Sequence, residues 1–362
     1  MKLSAALYWP CNLEKNSDDD ILGRKLYKQF DVVVQLKTQV QVTDPEWQDL
    51  LHHVRHGDCN EIHLGMLRQL VLSHKSCPVT NFTCSPWQDA ILVTPRHTVR
   101  MKWNSMSAKT RTQTLQISLI KCPAFDTIQG LQLSLEEKFA VATKPCTGRG
   151  RNRRERAGLA NEVIIAIGME ILITFNISTD VDVANGAHGQ IVDIVLDSRE
   201  EFNISMSHEI ELKYPPTYIL VCMLCTRAHT LDGLDNGVLP ITSLKKNFNI
   251  VIANGTKISV NRQQLPITPA YALTDYRSQA QTIDHCIVDL GTPPSGQLTP
   301  FNAYVALSRS WGRHSIRLLR DFDERLFTQH PNHHKLLNED QRLQQLNRKT
   351  QKNWEELASR VK

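Results

Sequence analysis

AYALTDYRSQAQT, residues Ala270–Thr282, decides the fold when it is set beside YVALSRS, residues Tyr304–Ser310. The first stretch lines up hydroxyls, an aromatic ring, a cation and amides between a predicted strand and a predicted helix. Ligands of open α/β sheets gather at such strand ends. The second stretch predicts a helix that carries Arg309. A guanidinium there can reach a phosphate and stabilise charge that develops on a transferred phosphoryl group. Around the pair, Cys286–Leu290 (CIVDL) and Ile316–Leu319 (IRLL) read as apolar strands. Strand, helix, strand is the rhythm of a parallel α/β sheet.

Working outward, residues 159–260 change character. EVIIAIGMEILITFN, the Asn185-Gly186 turn and GQIVDIVLD predict strand, turn and strand. YILVCML and FNIVIANGTKISV, with a second turn signal at Asn254-Gly255, add more strands and suggest a small barrel or sandwich. Upstream, Ala90–Thr94 (AILVT) predicts a buried strand, followed by Pro95 and a helical HTVRMKWN. In residues 1–75, Val32–Leu36 (VVVQL) predicts a short strand. A helix follows, with Thr43 and Asp44 as candidate caps, Pro45 at its first position and Gly57 at its stop. Residues 331–362 predict a charged helical tail with no clear apolar stripe. Five arginines between Arg149 and Arg156 mark a surface loop. Solvated coil, nuclear targeting and contact with a nucleic-acid backbone are all open readings of it.

Composition is that of a globular protein, with 41% hydrophobic and 22% charged residues, so a sizeable core is expected. A net charge of +5 permits a polyanionic partner without demanding one. Nine cysteines without framework spacing predict free thiols in a reducing compartment. The most apolar run, Val163–Phe175, is shorter than the ~20 residues that span a bilayer and contains Glu170. No membrane is expected.

The two opening segments resemble motifs V and VI of the superfamily-one DNA helicases related to RecD and to the petite-integration-frequency (PIF-type) helicase. The family's motif V reads A-x-A-[IL]-[ST]-x-H-K-S-Q-G-Q-T. Tyr276 here stands for the His, Arg277 for the Lys and Ala280 for the Gly; YVALSR of motif VI is intact. Further blocks resemble the family in the same order. LKTQVQVTDPEWQDLLHHVRHGD is similar to its L…Q-x-R…D…F…LL…R-x-G block. LVTPRHTVRMKWN is similar to L-x-P-T-N…V…N, and Ile167–Asn176 with Asn185–Gly189 to VGMxVMxTxN…NGxxG. Helicases encoded by Helitron-type transposons are the nearest in appearance.

This resemblance implies an α/β fold: a RecA-like parallel sheet, the second motor domain of a P-loop helicase, with an inserted small β-barrel and a helical tail. Residues 1–75 would end the first RecA-like domain and 86–145 begin the second. Residues 159–260 would be the barrel, 261–330 the end of the second domain with motifs V and VI, and 331–362 the tail. Implied activity is ATP-dependent unwinding of single-stranded or forked DNA in repair, recombination or transposition, with ATP and Mg as cofactors. Arg309 would be the catalytic arginine finger. Gln279, Ala280 and Thr282 would join it at the nucleotide, and Thr274, Tyr276, Arg277 and Ser278 would contact DNA. Nuclear residence is implied, with the mitochondrion as alternative.

The family's N-terminal blocks are not in these 362 residues. No G-x-x-x-x-G-K-[ST] occurs, nor an Asp-Glu pair after an apolar strand to hold Mg. A missing N-terminal helicase half is therefore expected as a partner, and these residues alone are not expected to turn over ATP. Gln41 stands where the family has the arginine of Q-x-R, and Ala280 where it has glycine. The alternatives are a stand-alone single-stranded-DNA-binding module and a non-catalytic relic. Cys222 and Cys225 read as buried structural thiols in an apolar strand. The histidines, His52-His53 and His333-His334 among them, form no H-E-x-x-H, so no metal site is expected.

Overall fold

The computed structural model describes residues 16–36, 40–143, 155–200, 209–253, 255–279, 281–293, 297–329 and 333–361. Most of the arginine-rich loop, Asn254 of the second turn signal and Ala280 lie outside the described residues. Helices α1 (Asp18–Gln29), α2 (Pro45–His56) and α3 (Glu61–Gln69) come first, then α4 (His97–Leu115) and α5 (Leu135–Thr143). They are followed by α6 (Asp275–Ser278), α7 (Pro300–Leu307), α8 (Arg325–Thr328) and α9 (His333–Val361). Among the described residues no helix is long and apolar enough to cross a membrane. The chain forms two compact units, one of residues 1–88 with 278–362 and one of residues 89–277.

In the first unit, local chemistry sets the helix ends. Asp44 accepts from the backbone N–H of Trp47, Pro45 opens α2, and Gly57 closes it at φ 66°, a left-handed conformation that glycine adopts at no steric cost. Trp47, Leu50, Leu51 and Val54 of α2 are buried on one face. Burying each such side chain stabilises the unit by roughly 1.5–3 kcal/mol. Thr299 caps α7 and Pro300 starts it. Strands Cys286–Val288 and Ile316–Leu318 pair in parallel, as the α/β rhythm predicts.

Two expectations change here. Residues 31–36 are extended but belong to no strand. Their alternate N–H groups go to side chains of α9: Val33 N donates to Thr350 Oγ1 at 3.0 Å and Gln35 N to Asn347 Oδ1 at 2.9 Å. The tail helix is thus fastened by polar side chains, which explains why no apolar stripe was visible. Its buried Glu339 accepts from Tyr27 and Arg342 at 2.7 and 2.9 Å.

In the second unit, strands Ile91–Val93 and Ala272–Leu273 pair in parallel. The rest is antiparallel β with one parallel pairing. A five-stranded sheet runs Val238–Ile241, Tyr218–Met223, His188–Val195, Glu170–Ile173, Ile267–Pro269. A three-stranded sheet runs Glu209–Glu211, Leu119–Pro123, Glu162–Ile165, and its first two strands are the parallel pair. The long hairpin Leu244–Val251 and Lys257–Gln264 continues into Phe125–Ile128. These sheets thus draw strands from 119–128 and 267–269 as well as from 159–260. A cluster that includes Ile165, Ile171, Ile173, Ile191, Ile219 and Val221 forms the core. Asn185-Gly186 makes the expected turn, with Gly186 at φ 100°. Cys225 lies exposed beyond the end of strand Tyr218–Met223, and Cys222 is only half-buried, so the pair is not a buried one.

Candidate nucleotide- and DNA-contact sites

Arg309 sits in the first unit, one residue past Ser308, the C-cap of α7, and not within the helix as its sequence predicts. Its side chain is 8% exposed. Nε donates to Val305 O at 2.8 Å, Nη1 to Ser278 O at 3.2 Å and Gln281 O at 3.0 Å, and Nη2 to Ser308 Oγ at 2.7 Å. Four N–H groups of the five that a guanidinium owns are thereby used. All four acceptors are neutral oxygens, and among the described residues no carboxylate pairs with Arg309. Burial pulls its pKa below the usual arginine value, with Tyr304 and Cys286 opposing. Cys286, fully enclosed, is pushed up to about 12 by the same burial and stays a thiol. The arrangement holds a cation in a neutral cradle, with one N–H to spare among the described residues. A phosphate oxygen is the natural acceptor for such a donor.

Gln41 joins this cradle. Its Nε2 donates to Gln281 O at 3.2 Å and to Arg309 O at 3.5 Å. Ile283 N also donates to Arg309 O, at 3.0 Å. Gln41, the residues Gln281 and Ile283, and Arg309 of the YVALSRS stretch therefore meet. Gln279 and Thr282 are exposed on the same segment. A second tie follows Arg309. Arg313 Nε donates to Asp44 Oδ2 at 2.7 Å, and Thr43 N donates to Trp311 O at 3.0 Å. Burial alone would raise the Asp44 carboxyl. The bonds from Arg313 outweigh it and hold Asp44 below the usual carboxylate range.

Thr274, Tyr276 and Arg277 belong to the second unit. Thr274 is buried and its Oγ1 accepts from Arg277 N at 3.3 Å, so it caps α6. Ser278, in the first unit, is fully buried and serves Arg309 through its carbonyl. Tyr276 is 60% exposed. Arg277 lines a cleft of about 750 Å³ in the second unit. One wall is a face of α4, with His97, Thr98, Met101, Lys102 and Ser105 at helical spacing. Asn161, Glu162, Val163, Ile164, Leu265, Ile267, Thr268 and Pro269 also line the cleft. Among the described residues, arginine, lysine and histidine outnumber the acids lining the cleft, of which Glu162 is the one present.

The floor depends on a residue whose role the sequence did not reveal. Asn104 of α4 accepts from Ala272 N at 2.7 Å and donates to Ala272 O at 3.2 Å, fixing the strand that leads into α6. Only its place in the LVTPRHTVRMKWN block pointed to it. Arg100, next along the buried stripe of α4, donates to Thr268 Oγ1 at 3.3 Å.

Parallel strand pairs, a neutral cradle around a buried arginine and a basic cleft belong to an α/β protein. Comparison with known proteins shows what it is similar to. An 87-residue segment, 24% of this chain and 11% of the relative, is 38% identical to the ATP-dependent DNA helicase PIF1 of Emericella nidulans. The fold is similar to the crystal structure of the Pif1 helicase from Candida albicans, with a TM-score of 0.52 and 19% identity over 84% of this chain. A Bacteroides Pif1 helicase in complex with ADP-AlF3 and ssDNA gives a TM-score of 0.48, 18% identity and 81% coverage of this chain. The chain spans 59% and 53% of the length of those two structures. No protein-family model matches it. One segment of the chain is thus similar in sequence to a PIF-type helicase, and the fold is similar to that of another.

Proposed function

We propose that the chain is the C-terminal portion of an ATP-dependent DNA helicase, supplying the second motor domain and its phosphate-sensing arginine. The observation that carries this reading is the Arg309 cradle, a buried guanidinium held by neutral oxygens at the segment that resembles motif V. ATP and Mg would be gripped when a domain with a phosphate-binding loop is added, because these 362 residues contain no such loop. Alone, the chain does not turn over ATP. Its DNA ligand is single-stranded, tracked by cations of the second-unit cleft and by the exposed Tyr276 face, on which a base can stack.

A second reading, a DNA-holding module without turnover, is supported by the cleft's lying wholly within one unit. Single-strand binding across a salt series tests what both readings share. Affinity should fall steeply as salt rises, since backbone cations release counterions from DNA. Absence of binding at low salt removes both. The readings separate when a half carrying the phosphate-binding loop is supplied: DNA-stimulated ATP turnover supports the motor, and binding without turnover supports the module.

A further inference from the structure

We infer that Asp49 and His53 of α2 and His63 of α3 form a site for a divalent transition-metal ion of the Zn²⁺ type, separate from the nucleotide and DNA contacts. Asp49 and His53 stand at i and i+4, so they share one face of α2. His63 arrives from α3, and one ligand atom from each residue lies within 4.8 Å of the others.

The hydrogen bonds leave a gap that a cation fits. His53 Nδ1 lies 3.0 Å from Asp58 Oδ1, a carboxylate that can only accept. Nδ1 therefore carries a proton, and in the neutral ring Nε2 presents its lone pair. That lone pair faces Asp49 Oδ1 at 3.8 Å, so two electron-rich atoms confront each other. A carboxylate–histidine–metal relay has this form, with the outer carboxylate fixing the tautomer of the ligating ring.

His63, 6% exposed, reaches the other oxygen, with Nε2 3.1 Å from Asp49 Oδ2. The two imidazole centroids are 4.5 Å apart and tilted by 32°. Ligands at ~2 Å from a metal lie within about 4 Å of each other, so the donors must close slightly. Asp49 is 63% exposed and His53 32%, and both can turn inward without disturbing the core. Binding moves the His63 ring proton to Nδ1 and gives up the bond from Asn60 N at 3.3 Å. The Asn60 side-chain cap on His63 N, at 3.0 Å, is kept. Two imidazoles and one carboxylate suit Zn²⁺, Co²⁺ or Ni²⁺ over Ca²⁺ or Mg²⁺. A bound ion would staple α2 to α3.

The test strips the full chain with a chelator and titrates it with Zn²⁺ alone, then with Co²⁺ for its visible spectrum. One equivalent binds, the melting temperature rises, and Co²⁺ gives the bands of a low-coordinate nitrogen–oxygen site. Asp49→Asn and His53→Ala, both at accessible positions, each lower Zn²⁺ affinity at least ~10-fold, and Asp58→Asn lowers it about 10–100-fold. His52→Ala, on the exposed neighbour, changes nothing. No binding to folded chain overturns the proposal. So does binding that survives His53→Ala, or binding lost with His52→Ala, which would move the metal to His52 and His56.

Discussion

Asp44 does two jobs with one side chain, and they can be separated. It caps α2 through Trp47 N and receives Arg313. Asparagine caps a helix as well as aspartate does but carries no charge. Asp44→Asn should therefore cost about 1 kcal/mol, a figure discounted because Arg313 is 38% exposed. The pH dependence follows from the depressed carboxyl. Its contribution is complete above the unfolded value of ~3.9 and is lost as pH falls through the lower folded value. Thermal unfolding should show wild type losing its margin over Asp44→Asn in that acid range. No margin at any pH would assign the residue to capping alone. Gln41 offers a second residue-scale prediction. With a phosphate-loop half supplied, Gln41→Arg should raise ATP turnover, because the cradle then carries a second cation beside Arg309. Unchanged turnover would show that the glutamine is harmless.

Among elements, the second unit depends on two buried polar clamps. Arg262, 2% exposed on the long hairpin, donates to both oxygens of Asp126 at 2.8 and 2.6 Å and to Asn161. Asp126→Ala would leave that guanidinium buried without its anion, at a cost of about 3–5 kcal/mol, measurable by denaturant unfolding. Asn104→Ala would strand two backbone groups of Ala272, costing about 1–3 kcal/mol for each buried group. It should also loosen the segment that sets Arg277, so DNA affinity and stability fall together. Wild-type DNA affinity in this variant would separate α4 from the cleft. These clamps mark where sequence reading stopped. Asn185-Gly186, the Pro45 start and the Gly57 stop were legible because they act on their own neighbours. Asn104, Arg262 and Glu339 act on partners far along the chain, and α4 buries Arg100, Asn104 and Thr112 where an apolar stripe would have signalled packing. The motif marked Arg309 as a candidate phosphate ligand, but its position beyond the helix end depends on the Ser278 and Gln281 carbonyls. The Asp49, His53 and His63 group escaped because its ligands come from two helices.

At the scale of the molecule, each unit carries a candidate site of its own. The first assembles Gln41, Gln281 and Arg309; the second assembles the basic cleft with Arg277. In the proposed motor, Arg309 acts on a nucleotide supplied from outside these residues. The direct measurement is DNA-stimulated ATP hydrolysis by the chain combined with a helicase half that carries the phosphate-binding loop, with and without Arg309→Ala. Turnover should require both pieces, and Arg309→Ala should reduce it roughly 10³-fold or more while single-strand binding persists. Turnover by the chain alone, or equal turnover with Arg309→Ala, would contradict the account.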